Sequence, residues 1–143
     1  MLAKIFDNIA KIHGEWGERT AVRVLKAKGM EILDCNSRPY ARDARLEIDI
    51  VAYEPESDTL VFVEVKQHKS FSPYQRRLRS LNRRKCANMR RVCNVWRRRH
   101  KWDGGYRFDV VEIYGTPEDG EPEIDYIENV NIFTPKDRRV RWG

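Results

Sequence analysis

From Thr59 to Lys66 the chain reads Thr-Leu-Val-Phe-Val-Glu-Val-Lys, an apolar run that two charges enter at alternate positions. Side chains of a strand alternate, so Leu60, Phe62, Glu64 and Lys66 share one face and Val61, Val63 and Val65 the other. The valine face reads as core. Glu47 to Tyr53 alternates in the same way, with Ile48, Ile50 and Ala52 on the core side and Glu47, Asp49 and Val51 opposite. The intervening Glu54-Pro-Glu-Ser-Asp58 is turn-forming, and so short a connection predicts an antiparallel hairpin. Helical spacing appears elsewhere. Glu15 through Lys28 carries Glu18, Ala21 and Leu25 on one stripe and is closed by Gly29. Gln75 to about His100 predicts a long helix whose stripe is Leu78, Leu81, Cys86, Met89, Val92, Cys93 and Trp96. Met30 to Asn36, Tyr106 to Tyr114 and Glu123 to Phe133 read as further strands.

This order predicts an α/β fold with a central sheet flanked by helices, and 143 residues suit a single domain with a sizeable core. Met1 to His13 places Leu2, Ile5, Phe6, Ile9 and Ile12 on one helical face. It either packs on the domain or forms the arm of a homodimer. Thr134 to Gly143 is basic and reads as a frayed end. No apolar stretch approaches the roughly 18 residues of a membrane span, which argues against an integral membrane protein. Cys35, Cys86 and Cys93 are odd in number and lack C-x-x-C spacing. That argues against a disulfide framework or a zinc site and fits a reducing cytoplasm.

Charge sharpens the picture. Residues 66–107 hold 15 Lys or Arg and one acid, a net +14, against −8 for the rest of a chain whose formal charge is +6. Arg76, Arg77, Arg83, Arg84, Arg90, Arg91, Arg97 and Arg98 fall off the apolar stripe of the long helix. A one-sign face of this kind suits a polyanion, with arginines holding phosphates. A solvated face without a ligand is the alternative.

Same-face residues of a strand lie roughly 6.6 Å apart, so a metal held by Glu64 and the amine of Lys66 can address one water between them. The hairpin brings Asp49 towards Glu64. Two anionic oxygens meeting at a strand end suit magnesium or manganese better than zinc. Glu18, a carboxylate on an apolar stripe, needs a partner and joins the candidates. The plain alternative is a pair of charges where a strand emerges into solvent. His68 could serve as a base, although a loop histidine beside a basic helix more often has no chemical role, and Phe71, Tyr74, Trp102 and Tyr106 could stack on unpaired bases, although burial is the stronger reading for each. Neither a phosphate-binding glycine loop nor a Ser-His-Asp order is present.

Asp49 followed by Glu64-Val65-Lys66 resembles the D…(D/E)-X-K signature of restriction-endonuclease-like nucleases. More narrowly, the chain resembles the uncharacterised YraN-type proteins, which are akin to archaeal Holliday junction resolvases. The matching blocks run in order: Gly14-Glu-Trp-Gly-Glu18, Gly29 to Asn36, Glu47-Ile-Asp-Ile50, Leu60 to Lys66, Arg107-Phe-Asp-Val-Val111 and Ile127-Glu-Asn129. The resemblance implies a restriction-endonuclease-like core and a magnesium or manganese ion held by Asp49, Glu64 and the backbone carbonyl of Val65. Lys66 would orient or activate the attacking water, and Glu18 would assist from the first helix. The implied activity is endonucleolytic cleavage of branched or structured DNA. Leu46 stands where the family pattern has glycine, and residues 37–45 are unusual. Two other readings stay open: a DNA- or RNA-binding module without catalysis, and a scaffold for an acidic protein.

Overall fold

The computed structural model describes residues 15–40, 42–43, 46–71, 78 and 81–134. The N-terminal segment, the stretch with Tyr74, Arg76 and Arg77, and the tail after Thr134 lie outside the described residues. Helix α1 (Trp16–Ala27) is followed by β1 (Glu31–Ser37), β2 (Ile48–Glu54), β3 (Thr59–His68), helix α2 (Arg83–Arg99), β4 (Gly105–Tyr114), a short 3-10 turn (Pro117–Asp119) and β5 (Glu123–Ile127). The strands form one sheet in the order β1-β2-β3-β4-β5. All neighbours are antiparallel except β3 and β4, which run parallel because α2 carries the chain back between them.

Both faces of the sheet are covered. Ala21, Val22 and Leu25 of α1 pack on Ile50, Ala52, Val61, Val63, Val111 and Ile113. On the other side Met89, Val92, Cys93 and Trp96 of α2 pack on Val51, Leu60, Phe62, Phe108 and Val110. The expectation of one core face for β3 is therefore corrected. Leu60 and Phe62 are as deeply buried as the valines, because a central strand flanked by helices is dry on both sides. Polarity begins only at Glu64, where α2 ends its cover.

Two boundaries differ from the sequence reading. Helix α2 starts at Arg83 rather than Gln75. Asn82 caps it by accepting the Lys85 N–H at 2.8 Å, and Leu78 sits at φ +60°, a left-handed turn that no helix propagates. Strand β5 ends at Ile127. Asn129 turns the chain at φ +56°, its N–H donating to Asp109 at 2.8 Å, and Val130 then donates to the Phe108 carbonyl at 2.7 Å. Ile132 and Phe133 thus enter the α2-side core from irregular backbone.

Arg107 clamps that end of the sheet. It reaches Glu54 at 3.0 and 3.1 Å and the fully buried Asp109 at 3.0 Å, while Tyr126 hydroxyl also donates to Asp109. These bonds hold Glu54 at about 2, well below the usual carboxylate range. Arg97 departs from the predicted exposed face. It is 1% exposed, its guanidinium lying 3.6 Å from the Tyr106 ring centre and donating to Asn94 at 2.9 Å.

Candidate functional site

The β2–β3 ladder has its last regular pair at Ile50 and Val63, and beyond it a side chain continues the pairing. Asp49 Oδ2 accepts the Val65 N–H at 2.8 Å, which fixes the carboxylate beside the residue between Glu64 and Lys66. The inside–outside alternation of β2 also breaks here: Ile50 and Ala52 lie under α1, whereas Ile48 lies under α2. Asp49 consequently stands between the two faces of the sheet.

Glu18 reaches the same place from the first turn of α1. Gly17 beside it packs closely on Gln67, whose Oε1 would lie 2.8 Å from a Cβ at that position. Glu15, Trp16, Gly17, Glu18, Val65 and Gln67 line a cleft of about 250 Å³. Carboxylate oxygens of Glu18, Glu47 and Asp49 all fall within 4.8 Å of one another, and all three residues are half-buried. Glu64 is not in this trio. It turns to the α2 side, where Lys85 Nζ lies 3.2 Å from Oε1, yet its charge is the strongest neighbouring influence on Asp49. Arg38 meets Glu47 at 2.6 Å.

The electrostatics are those of crowded anions. Burial, then the charge of Glu15, pushes Glu18 up to about 7, against a hydrogen bond from Asn36 that lowers it. Burial and Glu64 raise Asp49, opposed by the Val65 N–H. Glu64 is raised by burial, although Lys85 and Lys66 favour its charged form. Carboxylates crowded in this way, with Glu18, Asp49 and Glu64 held towards their protonated forms, fit a hard divalent cation, which would replace the protons. Lys66 follows on the Glu64 face, exposed at the surface. Its register partner on β4 is Glu112, a buried carboxylate that accepts from the Tyr114 hydroxyl at 3.2 Å.

A stability test follows from Glu18. Its folded value of about 7 exceeds the ordinary 4.5, so between those pH values the folded chain binds protons that the unfolded chain releases. The contribution is fully present below the lower value and is lost as pH rises through the upper one. Glu18→Gln should therefore raise the melting temperature near pH 8 and weaken the pH dependence. The gain is of order 1 kcal/mol once the half-exposed setting is discounted. A lower melting temperature than wild type in cation-free buffer at that pH would contradict it.

The remaining predicted residues separate. Arg83, Arg84 and Arg91 lie at the surface of α2, with Arg91 5.9 Å from the Tyr40 ring centre. Arg90 instead donates to the Ile132 carbonyl at 3.0 Å, fastening the C-terminal segment. His68 closes β3, stacked on Tyr114 at 4.7 Å and 3.5 Å from Glu112, which is a packing role. Trp102 and Tyr106 are packed against Tyr53 and Phe133, while Phe71 remains 58% exposed. The three cysteines are free thiols, two of them buried. Sequence reasoning placed Glu47 on the Asp49 side but gave it no role, and it passed over Lys85. The Glu-Ile-Asp spacing was the available signal for the first, and a lone lysine among arginines three residues after Asn82 for the second.

Sheet order, flanking helices and acidic strand ends make this an α/β protein consistent with a restriction-endonuclease-like core. The chain belongs to the uncharacterised protein family UPF0102, whose profile matches residues 17–113. A UPF0102 protein of Alkaliphilus oremlandii is 41% identical over 104 residues, covering 70% of this chain and 82% of its own. One of Acetivibrio thermocellus is 36% identical over 128 residues, covering 88% and 94%. One of Streptomyces griseus is 33% identical over 120 residues, covering 82% and 94%. Among the described residues no helix is long and apolar enough to cross a membrane.

Proposed function

We propose that this chain is a magnesium- or manganese-dependent nucleic-acid phosphodiesterase, an endonuclease for branched or otherwise structured DNA. The observation that carries the reading is the convergence of Glu18, Glu47 and Asp49 within 4.8 Å, with Glu64 and Lys66 on the adjoining strand end. Asp49, Glu64 and the Val65 carbonyl would hold the cation, with Glu18 and Glu47 completing the donor set directly or through water. A bound divalent cation supplies a lowered water pKa and neutralises charge growing on the phosphate.

The chain's own groups do the rest. The Val65 N–H keeps Asp49 in one orientation, beside Glu18 and Glu47. Lys66 orients the attacking water, whose oxygen bonds to phosphorus as one P–O ester bond breaks. The leaving oxygen takes up a proton, and the ends are a phosphate monoester and a hydroxyl. Arg83, Arg84 and Arg91 hold flanking phosphates through charge alone, which gives affinity without base preference.

Neutralising Arg83, Arg84 and Arg91 together should weaken DNA binding evenly across sequences. It should lower the log–log salt slope by about 0.9 per lost phosphate contact. Fluorescence anisotropy over about 50 to 200 mM salt reads the slope, and an unchanged value would remove the arginine face from the interface. Arg90→Ala should cost about 1 kcal/mol of stability through the lost Ile132 bond.

A cleavage screen over single-stranded, duplex, flap and four-way DNA, with magnesium or manganese, tests the activity. Metal-dependent cutting with the branched substrates preferred is the expected result. Salt-sensitive binding without cutting of any substrate would favour a silent binding module, and neither binding nor cutting would favour the acidic-protein scaffold.

A further inference from the structure

Lys85 is the one lysine in the arginine-rich first half of α2, and it is placed against a candidate metal ligand. Its ammonium lies 3.2 Å from Glu64 Oε1, with its side chain 38% exposed and that of Glu64 12% exposed. The Lys85 N–H is fixed by the Asn82 cap at 2.8 Å, so the backbone stays in place whichever way the side chain turns. No acidic residue occupies the first turn of α2, and Arg83 and Arg84 precede Lys85 there. A cation at this helix end is opposed by the macrodipole and by its neighbours, so it does not serve helix stability. It needs an anion.

One anion within its reach is Glu64. Lys85 also lines a cavity of about 470 Å³ together with Asp43, Leu46, Arg84, Asn88, Met89 and Arg91, where a second anion could be held. Three cationic side chains and an amide around an open cavity suit a backbone phosphate. A lysine, a compact charge on a flexible stem, exchanges partners more readily than a planar arginine fork.

Resting on the metal-centre reading above, we propose that Lys85 is a positioning residue that exchanges partners. It neutralises Glu64 in the cation-free chain and grips a DNA phosphate once Glu64 holds a divalent cation. Ammonium and dication repel each other across a shared carboxylate, which drives the release. Cation and DNA binding are thereby coupled, and each strengthens the other by the same factor.

Anisotropy with a labelled DNA duplex, with and without calcium to avoid cleavage, tests the exchange in the full chain. Wild type and Lys85→Met should share one salt slope without calcium. With saturating calcium the wild-type slope should exceed that of the variant by about 0.9, one phosphate contact, and Lys85→Arg should restore most of the difference. Calorimetry without DNA should show manganese binding to Lys85→Met severalfold more tightly, since no ammonium is displaced. Equal slopes in both conditions would overturn the proposal, as would a difference independent of calcium. If wild type gives no manganese heat, the metal-centre reading itself falls. Manganese heat with the slopes unresponsive to calcium overturns the exchange alone.

Discussion

Asp49→Ala and Glu64→Ala should each abolish manganese binding and metal-dependent cleavage while the fold persists. Neither carboxylate belongs to the apolar clusters beneath the helices, so their loss removes no core side chain. The two variants differ in stability. Glu64→Ala removes a buried charge and frees Lys85 to solvent. Asp49→Ala also strips the Val65 N–H of its acceptor, at a cost of roughly 1–3 kcal/mol, partly offset by relief of anion crowding. Circular dichroism checks the fold and calorimetry the ion. Unaltered manganese heats in both variants would remove these carboxylates from the centre.

Lys66→Ala gives a different signature. Manganese and DNA binding should stay close to wild type, whereas cleavage should fall by at least about a hundredfold, the scale of losing one transition-state stabiliser. The reason is position: Lys66 is exposed, on the Glu64 face of β3, where it favours the ionised form of that carboxylate without being needed to pack the sheet. Single-turnover cleavage with saturating metal and DNA separates the chemical step from binding. Wild-type turnover in Lys66→Ala would reduce this residue to a strand-end charge.

Asp49 and Glu64 were placed opposite each other by strand alternation and a short turn; the register leaves them next after the Ile50–Val63 pair, and Glu64 is the strongest charge acting on Asp49, although its side chain turns to Lys85. Glu18 was legible for a related reason, as a carboxylate on an apolar stripe. Glu47 was seen on the Asp49 side without a role, and Lys85 was passed over, because Glu18, Arg38 and Glu64, which give them their roles, come from other elements and periodicity does not record such contacts. The boundaries show the same limit. Leu78 and Leu81 pack on the α2-side cluster without belonging to the helix, so apolar spacing ran past Asn82. Val130, Ile132 and Phe133 are drawn into that cluster from irregular backbone, so buried identity imitated a longer strand. Arg97 misled through composition, since one guanidinium in an arginine run is stored against Tyr106 and no pattern marks which.

Anomalous scattering from crystals of the wild-type chain grown with manganese locates the ion directly. A single strong peak among the side chains of Asp49 and Glu64 and the Val65 carbonyl, with Glu18 or Glu47 within direct or water-bridged reach, is the predicted result. A peak confined to other acidic groups, or none at these carboxylates at saturating manganese, would contradict a catalytic metal centre at this end of the sheet.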